Sequence, residues 1–135
     1  MKNKLIATLL VIFPLMFFSK PAFSSESQYT WAKQTDKNFE KADTQMNKTY
    51  NQVLKKYAKD KDFISKLRTA QLAWIKYRDA HLDSIYPKKD KTLNYGSVYP
   101  TCYSLLLTQM TELRTAQLNE WVTGMEEGEV CSGSR

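Results

Sequence analysis

Between Gln71 and Ala80 the chain sets Gln71, Trp74, Tyr77, Arg78 and Asp79 within three helical turns. Such a cluster serves acid–base chemistry, anion recognition or a buried polar network, and spacing decides among them. Arg78 and Asp79 are adjacent, and neighbours in sequence do not face each other on a helix. Arg78 is therefore expected to bond a carboxylate or carbonyls of another helix, with Asp43 or Glu112 as partners. Gln71 and Asn47 are expected to join that network, which would set helix register once satisfied. Arg114 reads the same way. Trp74 and Tyr77, on an apolar face, read as core side chains, since each aromatic buries some 150–250 Å² when enclosed.

No second constellation supports catalysis. His81 is the one histidine and reads as a helix residue rather than a ligand or base. Ser97 and Ser104 lack a base, and neither a Cys-x-x-Cys nor a glycine-rich phosphate loop is present. Two carboxylates across a cleft would suffice for a glycosidase, but three helices of this length offer little concave surface. No catalytic residue, metal or cofactor is assigned.

These residues must be positioned by helices, because nothing alternates with a period of two. A first helix is expected over about Asp36–Ala58, with Phe39, Ala42, Met46, Thr49/Tyr50, Val53 and Tyr57 inward and its lysines outward. Residues 25–34 read as an arm or a short frayed helix. A second helix is expected over about Phe63–Ile85, N-capped by Asp60 or Asp62. Its stripe is Phe63, Leu67, Ala70, Trp74, Tyr77, His81 and Ile85, and Pro87 ends it. Residues 92–99 read as a connection containing Asn94 and Gly96. A third helix is expected from about Ser97–Thr101 to Gly124, with Cys102, Leu106, Met110, Leu113, Gln117 and Trp121 inward. The fold expected is all-α: an antiparallel bundle of three long helices, a short N-terminal arm and an irregular C-terminal tail. The hexapeptide Leu-Arg-Thr-Ala-Gln-Leu occurs at 67–72 and again at 113–118, too few copies for a solenoid.

The first 24 residues have the form of a secretory leader. Lys2 and Lys4 precede an apolar run, Leu5 to Phe18, and Ala22-Phe23-Ser24 is a small-x-small cleavage site. The run is interrupted by Pro14 and falls short of the ~20 residues a spanning helix needs. One domain over 25–135, released near Ser24 into the periplasm or medium without membrane insertion, is expected. Losing Lys2, Lys4 and Lys20 lowers the net charge from +6 to +3, too mild to imply nucleic acid. In an oxidising compartment, pairing of Cys102 with Cys131 is the default, and closing that loop of about 30 residues would contribute roughly 3–4 kcal/mol.

Three segments resemble the lysozyme-inhibitor LprI-like family of small exported bacterial proteins. They are Ala42-Asp43-Thr44-Gln45-Met46-Asn47-Lys48-Thr49-Tyr50, the Gln71–Asp79 stretch with its Trp74, Tyr77 and Arg78, and Tyr95-Gly96-Ser97 followed by Cys102, Thr111 and Arg114. The resemblance spans about residues 39–118. It marks Asp43, Asn47, Tyr50, Gln71, Trp74, Tyr77, Arg78, Asp79 and Arg114 as the structural motif. Where the family has a cysteine shortly after Arg-Asp, this chain has His81-Leu82-Asp83, so Cys102 lacks its usual partner and Cys131 is the replacement. That bridge requires the tail to run extended down the bundle or the third helix to end early.

Loops on a rigid frame commonly carry function. The Tyr86–Tyr99 connection, with Tyr95, Gly96 and Ser97, is one binding candidate; the acidic tail, with Glu126 and Glu127, is the other. The function implied is a non-enzymatic, exported binding protein with a protein partner, lysozyme in the family's terms. The alternatives are an envelope interaction module, toxin-neutralising or stress-related, with another partner, and a small hydrolase.

Overall fold

The computed structural model describes residues 24–135. The expected leader lies outside these residues except for Ser24. Four helices follow in order: α1 Ser25–Lys56, α2 Lys61–Ile85, α3 Lys91–Tyr95 and α4 Tyr99–Thr123. The described residues contain no strand, and the all-α bundle of three long helices is as expected. None of the described helices is long and apolar enough to cross a membrane.

Helix boundaries follow local chemistry. The Ser24 hydroxyl accepts from Ser27 N–H, and Glu26 sits in the first turn where the helix dipole favours an acid. The expected arm is therefore the first three turns of α1, and the correction has a packing reason as well. Trp31 and Ala32 line a cavity of about 210 Å³ with Ser97, Val98 and Thr101 of the α4 start. Asp60 caps α2 by accepting from Phe63 N–H at 2.9 Å. The 92–99 connection contains α3, which Asp90 caps through Leu93 N–H. Pro100 stands in the first turn of α4, and Gly124, with φ 86°, ends it.

α1 and α4 run parallel. Near their N-terminal ends the Ser104 hydroxyl donates to Asp36 at 2.6 Å; at the other end Lys56 donates to the carbonyls of Trp121 and Val122. Their backbones stay close along the whole pair, whereas α2 lies antiparallel and farther off. Small residues explain the difference. Thr35, Ala42 and Thr49 recur every seven residues on α1, facing Thr101, Thr108 and Thr111 on α4, and all six are buried. The seven-residue spacing of Thr35, Ala42 and Thr49, matched on α4 by Thr101 to Thr108 and by Thr111 to Leu118, is that of a left-handed seam. The buried hydroxyls are mostly satisfied along their own helices: Thr35 bonds Ala32 O and Thr108 bonds Ser104 O. Below the seam Met46, Val53, Leu67 and Leu118 form the apolar core, with Tyr50, Phe63, Trp74 and Trp121 packed around it.

The α1 stripe matches expectation, but the other two do not. On α4 the inward set is Thr101, Thr108, Thr111, Arg114 and Leu118, while Leu113 is 67% exposed. On α2 it is Leu67, Gln71 and Leu82, with Trp74 and Arg78 half-buried; Ala70, Tyr77, His81 and Ile85 face solvent. Large apolar residues were expected inside on α4, yet close approach to α1 demands threonines instead.

The expected disulfide is absent, and both cysteines are free thiols. Cys102 sits in the first turn of α4, so ~30 Å of helix at 1.5 Å per residue separates it from the start of the tail that carries Cys131. The tail does not run back along the bundle. Hydrogen bonds from Glu129 N to Glu126 O, Ser132 N to Glu129 O and Arg135 N to Ser132 O coil it in place.

Thr111 is fully buried and its hydroxyl has no hydrogen-bond partner. An unsatisfied buried hydroxyl costs about 1–3 kcal/mol, so Thr111→Val should raise the unfolding free energy by about 1 kcal/mol and the melting temperature by about 4 °C. Thermal melts followed by circular dichroism check this; an unchanged or lower midpoint would contradict it.

Candidate functional site

Arg114 projects from α4 into the space between α2 and the α1/α4 pair and is only 9% exposed. Its Nε donates to Gln71 Oε1 at 3.0 Å, and Nη1 donates to Gln117 Oε1 at 3.2 Å. Gln71 completes the link to α1, its amide contacting Met46 Sδ at 3.6 Å. Trp74 lies beside two guanidiniums, that of Arg78 at 5.4 Å from the ring centroid and that of Arg114 at 6.0 Å. A positive charge over an indole face is attracted by the ring quadrupole. The acceptors given to Arg114 are thus neutral amides and a π face. Burial pulls its pKa down from the ordinary arginine value, with Tyr50 acting in the opposite direction.

A buried polar link joins Gln71 and Arg114, but Arg78 and Asn47, expected in the same network, are not part of it. Asn47 is exposed and donates to Asp43 one turn earlier on α1. Arg78 pairs with its neighbour Asp79, Nη2 to Oδ1 at 2.8 Å. That overturns the expectation that adjacent residues cannot meet: the flexible arginine stem carries the guanidinium around the helix to the next side chain. Neither Asp43 nor Glu112 bonds it; Glu112 lines the far groove between α1 and α4. Tyr77 is 59% exposed rather than core and stacks on His81 at 5.6 Å. Among the described residues no three His, Cys, Asp or Glu side chains gather as a metal cage. Ser104, hydrogen-bonded to Asp36, ties helices together.

At the end where α2 gives way to α4, four tyrosines brace the connection. Tyr86 meets Tyr95 edge-on at 5.2 Å and Tyr99 edge-on at 4.9 Å, and Tyr103 lies 6.3 Å from it. The Tyr95 hydroxyl accepts from Lys88 N–H at 3.0 Å, and Lys91 Nζ bonds Tyr86 O. Gly96, with φ 77°, turns the chain out of α3, and Gly96 and Ser97 are exposed beside it. Lys88 and Lys89 stand in solvent on the rim. The connection is therefore a preformed tip. Tyr103 was not anticipated as part of it; its place one turn after Tyr99 on α4 is the signal that could have found it. Burial is the first cause raising the pKa of both Tyr86 and Tyr103; nearby Cys102 and Tyr99 add to the Tyr86 shift, and Tyr99, Asp79 and Asp83 to that of Tyr103.

The acidic tail occupies the opposite end of α4. Arg135 pairs with Glu120 and lies over Trp121, and the Tyr57 hydroxyl donates to Ser134 O at 2.7 Å. Glu126 and Glu127 are exposed. The two binding candidates are separated by the 25 residues of α4, or ~37 Å, and cannot belong to one small site.

What this frame presents at the α2–α4 connection is a cluster of half-buried tyrosines packed on one another. The family model described as "Lysozyme inhibitor LprI" matches residues 19–118, and the chain belongs to that family. It is also 31% identical over 102 residues to an uncharacterized protein of Rhizobium meliloti (strain 1021), an alignment covering 67% of this chain and 70% of the relative. No solved structure matches.

Two outcomes test the site. Gln71→Leu strips the buried guanidinium of one acceptor and should cost about 2 kcal/mol, in the range for hydrogen bonds to charged groups. The double variant Gln71→Leu/Arg114→Met should recover most of that loss, because replacing both members of a buried polar pair is often neutral; denaturant titration of the cycle reads it directly. At the tip, raised folded-state values mean that neutral Tyr86 and Tyr103 stabilise the fold below the ordinary tyrosine value of 10.0. That contribution is lost as pH rises through the folded values. Ultraviolet titration should show late-ionising tyrosines, coincident with loss of near-ultraviolet dichroism, and Tyr86→Phe should diminish that late phase.

Proposed function

We propose that this chain is an exported, non-enzymatic inhibitor of a lysozyme, and that the tyrosine-braced tip is the surface that enters the enzyme. Family membership supports the inhibitor class. The observation that carries the assignment to the tip is the packing of Tyr86 against Tyr95, Tyr99 and Tyr103. A segment already locked in shape loses less freedom on binding, which favours affinity. Tyrosine supplies large, rigid, amphipathic contact area at low entropic cost.

The chemistry of the target fits this tip. A glycosidase cleft is concave and carries two catalytic carboxylates. The tip offers half-buried tyrosine rings to a sugar-binding groove and the exposed cations Lys88 and Lys89 to its acids. Inhibition would be occlusion: water and glycan are excluded without any bond being made or broken. Electrostatic complementarity of this kind acts mainly on encounter rate and orientation. The leader at 1–24 directs the chain out of the cytoplasm. Cleavage after Ser24 removes the cap of α1, so the first turn frays in the mature protein while the seam from Thr35 onward is kept.

The test is clearing of bacterial cell-wall suspensions by lysozymes of several classes, with and without the purified mature protein. Inhibition by at least one class at micromolar excess is expected. Lys88→Glu/Lys89→Glu and Tyr95→Ala should each weaken it by about tenfold or more, as for truncation of an interface anchor, with the helical dichroism unchanged. Inhibition lost instead in Glu126→Lys/Glu127→Lys would move the site to the tail. Absence of inhibition throughout would refute the proposal.

A further inference from the structure

A second surface lies away from the tip, in the groove between the N-terminal half of α2 and the end of α1 with its following turn, at Leu54 and Ala58. It encloses about 520 Å³. Its apolar lining includes Leu54, Ile64 and Leu72, and its charged residues are Lys61 and Arg68. No carboxylate lines it, and among the described residues neither cation has an ion-pair or hydrogen-bond partner. Leu72 is 63% exposed, while Leu67, five residues earlier on the same helix, is 4% exposed. A leucine left open beside two unneutralised cations is a surface with both apolar and ionic capacity to spare.

The spacing defines what would fill it. Lys61 and Arg68 are seven residues apart, two helical turns or ~10.5 Å along the groove, and Ile64 lies between them. A ligand with one anionic head would neutralise one cation and leave the other. An amphipathic helix carrying carboxylates at i and i+7, with aliphatic side chains between them, matches both cations and the apolar floor together; this is the helix-in-groove mode of recognition. The chain's own acidic tail is held elsewhere, through Tyr57, Glu120 and Trp121. We infer that the α1–α2 groove is a docking site for an acidic amphipathic helix of a partner protein, independent of the tip.

The probe is a fluorescein-labelled synthetic helix with glutamates at i and i+7 and leucines at the intervening groove-facing positions, titrated onto the mature protein by fluorescence anisotropy. Saturable binding is expected. Lys61→Glu/Arg68→Glu should weaken it by about tenfold or more, and Leu72→Asp similarly. A peptide with lysines at the two acidic positions should bind the charge-reversed variant and not the wild type, which controls for misfolding. Cell-wall clearing assays should be unaffected by these variants, so failure here is separable from failure of the tip. No saturable binding, binding indifferent to both variants, preference for phosphatidylglycerol vesicles over the peptide, or Leu72-dependent self-association in sedimentation would each overturn the inference.

Discussion

Burying a guanidinium with only neutral acceptors is the constraint around which this bundle is arranged. Arg114 cannot shed its charge at any ordinary pH, and desolvating that charge is expensive unless hydrogen bonds and a polarisable neighbour take over from water. Gln71 and the face of Trp74 both come from α2. A shift of α2 by one residue would carry Gln71 about 100° around its axis and leave Arg114 stranded. The register of α2 is therefore fixed by this polar contact together with the burial of Leu67 and Leu82, and everything α2 carries beyond it inherits that setting. Leu82 reaches the core, and Tyr86 arrives where Tyr95, Tyr99 and Tyr103 can close around it.

The repeated hexapeptide shows how far position outranks composition. In the first copy Leu67 and Gln71 are buried and Leu72 is exposed; in the second Leu113 and Gln117 are exposed, while Arg114 and Leu118 are buried. Identical sequences have thus turned different faces inward. The two copies meet through Arg114 of one and Gln71 of the other. An environment shared by descent would bury matching positions, so the fold gives the repeat no common structural role.

Legibility in the sequence followed the size of the side chains at each interface. The α1 stripe was readable because Met46, Val53 and their neighbours are large, apolar and spaced at three and four. The α4 stripe was not, because its closest neighbour is reached through Thr101, Thr108 and Thr111, which read as polar surface. Fixing on Leu113 and Cys102 rotated the helix away from its true seam, and Tyr77 was misplaced for a similar reason, since its size suggested a core that Leu82 supplies. Caps at Asp60 and Gly124 were legible because they depend on two or three adjacent residues. The pairing of Gln71 with Arg114, 43 residues apart, was readable only as membership in a network. Side-chain length decided the rest: Arg78 found Asp79 by bending, which a wheel of Cβ directions does not represent.

The parallel pairing of α1 with α4 has a temporal side. Asp36 bonds a residue 68 positions later, and Lys56 one 65 positions later, so the most intimate helix pair joins the two ends of the fold. A chain made from its N-terminus first holds α1 without its neighbour until almost the whole polypeptide exists. Non-local pairing of this kind is slow, because loop-closure entropy must be overcome before any contact rewards it. The molecule thus carries a built-in delay: until α4 is made, α1 lacks the neighbour against which most of its buried face packs.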